Sequence, residues 1–267
     1  MPFTLSHAVL APPLSKLSKG QLPIAALAIG CMSPDLYRLF TTETIALTHQ
    51  WSGLLFPNLP IGLFFCLLWY LLYRPVIYRV LAIQHSLNIH SFDQFVAFSL
   101  MSCVSIVIGA ATHLIWDGLT HLDFRTFAFK KALAQEVSLW GLNYPLHFIL
   151  QIVSSILTLP ILLWMCLKYY QNHKQHIHIP IKLRLFFLLS LLISITAGFC
   201  AVWNLHLQIP AERWNSERYF YIGRSINEFS QTGLILMSIA CLLLFFLIVE
   251  AVWVSFPTLY CLENIKT

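Results

Sequence analysis

The stretch His113-Leu-Ile-Trp-Asp117-Gly-Leu-Thr-His121 closes an apolar run that begins near Phe95. A helix needs about 20 apolar residues to cross the roughly 30 Å hydrocarbon core of a bilayer, and this run supplies them. Positions i, i+4 and i+8 lie close to one helix face, so His113, Asp117 and His121 stack a turn apart. Imidazole and carboxylate together suit zinc and similar divalent ions. Ionisable groups at the end of a bilayer-length segment are costly in lipid, and they mark a site.

Working outward, the whole chain has the composition of a membrane protein. Of its 267 residues, 58% are hydrophobic and only 10% charged, with a mean hydropathy of +0.73. Soluble domains carry about 25% charged residues. The net charge of +5 fits juxtamembrane Lys and Arg, and no basic patch interleaved with aromatics suggests nucleic acid. The expected partner is membrane lipid, and self-association is left open. Cys31, Cys66, Cys103, Cys166, Cys200, Cys241 and Cys261 fall mostly inside apolar runs with no CxxC pair. They read as small buried or lipid-facing side chains. Residues 1–7 lack a basic segment leading into an apolar core, and Pro12-Pro13 breaks the short apolar run after them. No cleavable signal peptide is expected.

The predicted fold is all-α and polytopic. Five spans are readable, at about Leu54–Tyr73, Phe95–Trp116, Leu146–Leu167, Leu185–Leu205 and Thr232–Val254. Leu22–Cys31 is apolar but too short to span; it reads as a re-entrant or interfacial helix, or as a strained sixth span. One domain is expected over 1–267, with the candidate site drawn from 1–53 and 110–155. The loop Lys168–Arg184 carries His173, His176 and His178, either as a solvated cationic loop or as a metal-binding cluster. Gln208–Gln231 holds Arg213, Glu217, Arg218 and Arg224, which could hold a phosphate or anchor to headgroups. Arg74, Arg79, Lys168, Lys174, Lys182 and Arg184 crowd two short loops on one side. That side is expected to be cytoplasmic, with the candidate site on the outer or periplasmic side.

Four motifs then share the other side: Thr4-Leu-Ser-His7, Ser33-Pro-Asp35-Leu-Tyr37, Thr48-His49-Gln50 and the His113-Asp117-His121 run. A hydrolytic zinc centre needs neutral imidazoles, carboxylates and an open position for water. Loops before the first span would have to fold over the end of the second. Each motif also has an ordinary reading. Pro34-Asp35 is a good turn or cap signal, and the set could be a polar cluster that satisfies helix ends in the headgroup region.

These residues resemble a family. Pro2-Phe-Thr-Leu-Ser-His7-Ala, Met-Ser-Pro-Asp35, Thr48-His49 and Thr112-His113-Leu-Ile-Trp-Asp117 are similar to the elements of domain of unknown function 4184, a bacterial membrane-protein family without an assigned activity. The resemblance covers nearly the whole chain and is densest over 1–155. It departs at Gln50, where the family tends to have Ser, and is less regular around His147. The order of motifs is also similar to membrane-bound metal-dependent hydrolases, including the LexA-regulated inner-membrane protein. It is more distantly similar to zinc-dependent phospholipase C and the related single-strand nucleases. The resemblance implies His7, Asp35, His49, His113, Asp117 and His121 as metal ligands, with Asp35 and Asp117 as catalytic carboxylates. It implies one to two ions, most simply zinc, in a bacterial inner membrane. A second His-x₃-Asp, which the soluble enzymes have, is missing here.

His147 and Gln151 are i, i+4 neighbours that open the third span. They could support the ligands or touch substrate, or they could join helices by hydrogen bonds within the bundle. The expected activity is hydrolysis of a phosphoester or lipid at the bilayer surface. The alternative is a non-enzymatic membrane protein, either a transporter or a scaffold. A transporter would place ionisable residues at the midplane of several spans. Here the spans are nearly free of them, with Glu250 towards the end of the last.

Overall fold

The structure is a computed structural model that describes residues 4–41, 45–139 and 141–263, with side chains to 246 except those of Asn215, Arg218 and Tyr219. Pro2 and Phe3, and the side chains of Arg218, Glu250 and Cys261, lie outside the described residues. Among the described residues, five helical segments are long and apolar enough to cross a membrane: Trp51–Leu81, Phe92–Thr120, Leu146–His173, Ile181–Gln208 and Phe220–Phe246. The chain is an integral membrane protein of helical architecture. Leu157, Leu163, Trp164, Leu188, Leu192 and Trp203 are all more than half exposed on the third and fourth segments, and lipid is the solvent that makes such faces tolerable.

The chain groups into two compact units. The first unit comprises residues 1–67 and 85–173 and contains every proposed ligand. It holds α1 (Ala11–Leu17), α2 (Ile24–Leu36) and, within the first span, α3 (Leu59–Leu67). The far end of that span, α4 (Arg74–Leu81), belongs to the other unit. The first unit continues with α5 (Phe92–Thr120), the short α6 (Lys130–Leu133), an antiparallel hairpin of β1 (Glu136–Leu139) and β2 (Leu142–Pro145), and α7 (Leu146–His173). The second unit contains α4, α8 (Ile181–Gln208), the short α9 (Ala211–Ser216) and α10 (Arg218–Glu263), with a core around Tyr73, Val76, Val80, Cys241 and Leu244.

The short apolar segment forms the buried helix α2. Thirteen residues rise only about 20 Å, short of a bilayer. The helix lies against α5 at very close range because both contribute glycine. A Cβ on Gly30 would stand 2.4 Å from the Ile106 carbonyl oxygen, and one on Gly109 2.5 Å from that of Leu27. Small residues let backbones approach in this way, which dispersion rewards. Pro34 sits inside α2 and has no N–H for the Gly30 carbonyl one turn back. Ser33 Oγ donates to that carbonyl at 2.9 Å, so the helix continues and carries Asp35.

The first span is broader than its apolar core suggests. It starts irregularly at Trp51 and passes through Phe56, where the backbone leaves helical geometry. Asn58 Nδ2 donates to the Thr48 carbonyl at 2.8 Å, pinning the preceding 3₁₀ turn Ala46–His49. Gly53 is required there, since a Cβ would lie 1.9 Å from the Leu47 carbonyl oxygen.

A candidate metal centre

Four separate segments deliver the buried polar residues. His7 lies on the 3₁₀ stretch Thr4–Leu10, Asp35 near the end of α2 and His49 at the end of its 3₁₀ turn. His113 and Asp117 come from the last two turns of α5, and His121 follows its end. None of the six is more than 8% exposed. Polar groups hidden to that degree normally have hydrogen-bond partners. Here the Nδ1 and Nε2 of His7, Nε2 of His113, Oδ1 of Asp117 and Nε2 of His121 are buried without one.

The geometry concentrates those atoms. His113 Nε2 is 3.5 Å from Asp117 Oδ2 and 4.0 Å from Asp35 Oδ2. His49 Nε2 is 3.2 Å from Asp35 Oδ1 and 3.8 Å from Asp117 Oδ2. His7 Nε2 is 3.8 Å from Asp117 Oδ1, and the His7 ring stacks on that of His113 at 3.9 Å between centroids. Two donor sets, His7–His113–Asp117 and Asp35–His49–His113, each have one ligand atom per residue within 4.8 Å of the others. Ligands bound tetrahedrally at about 2.0–2.1 Å lie about 3.4 Å apart, so a divalent ion fits the spacing with small adjustments. These buried His and Asp groups could hold a metal ion. His121 stands beside them, with Nδ1 3.5 Å from Asp117 Oδ1, but outside both compact sets.

Neighbouring groups fix the ligand orientations. Cys31 O lies 2.8 Å from His113 Nδ1. Thr48 Oγ1 lies 2.8 Å from His49 Nδ1. Thr4 Oγ1 donates to Asp35 Oδ2 at 2.8 Å. Such outer partners set the tautomer and rotation of metal-binding imidazoles. Burial and then the neighbouring His113 push the His7 pKa down to about 3. Burial likewise lowers His121, and with Arg125 it outweighs Asp117 to leave a value of about 4. Both rings are therefore neutral at pH 7, the form that binds metal. Burial would raise the Asp35 carboxyl, but the hydrogen bond with His49 and the nearby His113 and Arg38 hold it well below the usual carboxylate range.

His147 and Gln151 play different parts. His147 Nδ1 lies 3.2 Å from the Leu133 carbonyl, tying α7 to α6. Gln151 Nε2 donates to the Thr120 carbonyl at 2.8 Å, joining α7 to the end of α5 next to His121. Arg213 and Arg224 belong to the second unit, where Arg224 approaches Glu228 at 4.0 Å. His173 stacks on Tyr169 and His85, while His176 and His178 are exposed.

Two residues at the centre escape a reading of the sequence. Arg125 Nη1 donates to Asp117 Oδ2 at 2.8 Å, and Asp123 grips the same guanidinium through Nε at 3.0 and 3.1 Å. A charge pair directly after the last histidine of the run was the available signal.

The family profile of domain of unknown function 4184 matches residues 1–252. The chain belongs to the DUF4184 family. That match spans every residue of the centre while assigning it no activity. No curated protein and no solved structure matches the chain.

Proposed function

We propose that this DUF4184 protein is a membrane-bound, divalent-metal-dependent hydrolase acting on a phosphoester carried by a lipid. The observation that carries the reading is the burial of His7, Asp35, His49, His113 and Asp117 around unpartnered nitrogen and oxygen atoms. Burying such groups without partners costs about 1–3 kcal/mol each, and a bound cation removes that cost. Zinc is the preferred ion for a set of three imidazoles and two carboxylates.

His113 offers only Nε2, because Nδ1 serves Cys31. His7, His113 and Asp117 would hold one ion, and Asp35 and His49 would remain for a second. A divalent ion at this position supplies Lewis acidity and lowers the pKa of water. Asp35, close to His49 and Thr4, is placed to hold or accept a proton beside it. Asp117 faces the imidazoles of His7 and His121 through Oδ1 and those of His49 and His113 through Oδ2.

A lipid substrate is favoured by an apolar cleft of about 340 Å³ lined by Leu10, Ile115, Trp116, Leu119, Thr120 and Ser154. Trp116 forms both its wall and an edge contact with His7, 5.2 Å between ring centroids. A bacterial inner membrane, implied by the family resemblance, and a periplasmic centre, read from the loop charges, are part of the same proposal.

The test is metal analysis of the purified protein followed by hydrolysis of phospholipid in mixed liposomes, with and without chelator. Turnover that requires metal and vanishes in Asp117→Ala supports the reading. A metal-loaded protein inert on a broad panel of phosphoesters and esters favours the non-enzymatic alternative.

A further inference from the structure

We propose that Arg125 is the anion-recognition residue of this centre, a specificity-determining group that receives the phosphoryl oxygens of the substrate. The inference rests on reading the His/Asp cluster as a divalent-metal site.

The position of Arg125 is built into the fold. The turn after α5 is closed by Thr126, whose hydroxyl donates to the His121 carbonyl at 2.6 Å and accepts from the Asp123 N–H at 3.0 Å. It lies back on α5 at Gly118, where a Cβ would stand 2.2 Å from the Phe127 ring. The turn thereby brings the guanidinium to the Asp117 carboxylate.

The hydrogen bonding leaves capacity. Nε and Nη2 engage Asp123, and Nη1 engages Asp117. A guanidinium has five N–H donors, so one on each terminal nitrogen remains beyond these contacts. N–H donors on the two terminal nitrogens are the groups with which Arg grips phosphate oxygens.

The charges also favour an anion. Asp35 and Asp117 together neutralise one divalent ion, so the metal and its carboxylates leave no net attraction. Arg125 adds a positive charge that is largely enclosed, its side chain 13% exposed, while its partner Asp123 is 37% exposed. Water screens the exposed carboxylate more than the enclosed guanidinium. Arg125 is thus the less screened member of its pair, and a second cation, Arg38, lies 3.9 Å from Asp35. Arg125 Nη1 and His113 Nε2 both approach Oδ2 of Asp117, at 2.8 and 3.5 Å, so a phosphoryl group held by Arg125 would lie next to the metal ligands.

The test uses the full chain in detergent, loaded with zinc, in wild type, Arg125→Gln and Arg125→Lys. Zinc content and affinity are measured first. Calorimetric titrations with inorganic phosphate and with short-chain phosphatidate come next, with the matching neutral diacylglycerol as control. Arg125→Gln should bind both anions about tenfold or more weakly, and Arg125→Lys several-fold more weakly, since it keeps charge without the planar fork. Zinc affinity should be unchanged or tighter in Arg125→Gln, because a competing cation has left Asp117. Tighter binding of phosphatidate than phosphate identifies the source as a lipid headgroup, and equal binding points to free phosphate. Wild-type anion affinity in both zinc-loaded variants would overturn the anion role, as would loss of zinc in Arg125→Gln. Should Arg125→Gln fail to fold, an unaltered affinity in Arg125→Lys overturns the fork. Failure of the wild type itself to bind zinc would instead overturn the metal reading beneath it.

Discussion

His113 donates its Nδ1 proton to the carbonyl oxygen of Cys31, 2.8 Å away. A carbonyl can only accept, so in the neutral ring this contact fixes the tautomer and leaves Nε2 as the bare nitrogen beside Asp117 and Asp35. The donor is on α5 and the acceptor on α2. The close packing of those two helices therefore sets the chemistry of the ligand itself.

Purified protein should contain one to two zinc or similar ions per chain, removable by chelator. His113→Ala and Asp117→Ala should each reduce affinity at least about 10–100-fold, the scale on which even outer-shell partners act. Elemental analysis after dialysis reads this directly, and metal content unchanged in both variants would exclude the centre.

Gly109→Val should destabilise the protein by about 1–3 kcal/mol through overpacking, since even a Cβ meets the Leu27 carbonyl at 2.5 Å. It should also weaken metal binding, because displaced α2 carries Asp35 and the Cys31 carbonyl. Thermal unfolding and zinc titration of the same preparation test the coupling. Lower stability with native zinc affinity would show that the helix contact and the centre are independent.

Acid should destabilise the chelated protein. His7 and His121 fall from 6.5 to about 3 and about 4 in the folded chain, so the unfolded chain binds more protons in the window below 6.5. Stability is then full above 6.5 and declines as pH falls towards those values. Asp35 adds a loss at lower pH, as the solution passes below 3.8 towards its depressed folded value. The midpoint of unfolding should drop between about pH 7.5 and about pH 5, and the drop should shrink in His7→Gln. A midpoint independent of pH across that window would contradict the burial argument.

Cysteines placed at Gln50 and Phe124, in a background without native cysteines, should be labelled from one side of the membrane, and one at Gln175 from the other. The motive is that His49 and His121 converge on Asp117, while α7 runs 28 residues away to His173. Labelling of positions 50 and 124 from opposite sides would break the shared centre apart.

The spans were legible because apolar runs of bilayer length have few other readings. Their ends were less so. Pro75 restarts the helix beyond Tyr73, so Arg74 and Arg79 belong to an amphipathic extension that hydropathy alone discards. Leu22–Cys31 reads as a membrane-edge segment in the sequence. Its extension to Leu36 and burial depend on Gly30, Gly109 and Ser33, whose effect is visible only once α5 lies alongside. The His and Asp motifs could be picked out by residue type and order. Asp123 and Arg125 could not, since an Asp-x-Arg pair after a helix ordinarily means a solvated turn. The hairpin over 136–145 is short and weakly patterned, with burial alternating only partly, and it left no clear period to detect.

The contact between Ser6 and the Ser155 carbonyl has a consequence for biogenesis. The segment bearing His7 leaves the ribosome well before its partner, which lies almost 150 residues later, inside the third span. Throughout translation of the first two membrane segments, the His7 imidazole waits without its final seat. Nascent chains arrested before residue 155 should thus expose His7 to solvent-borne reagents, and chains released beyond α7 should protect it. Assembly of the centre in this sense has to follow synthesis of the third span.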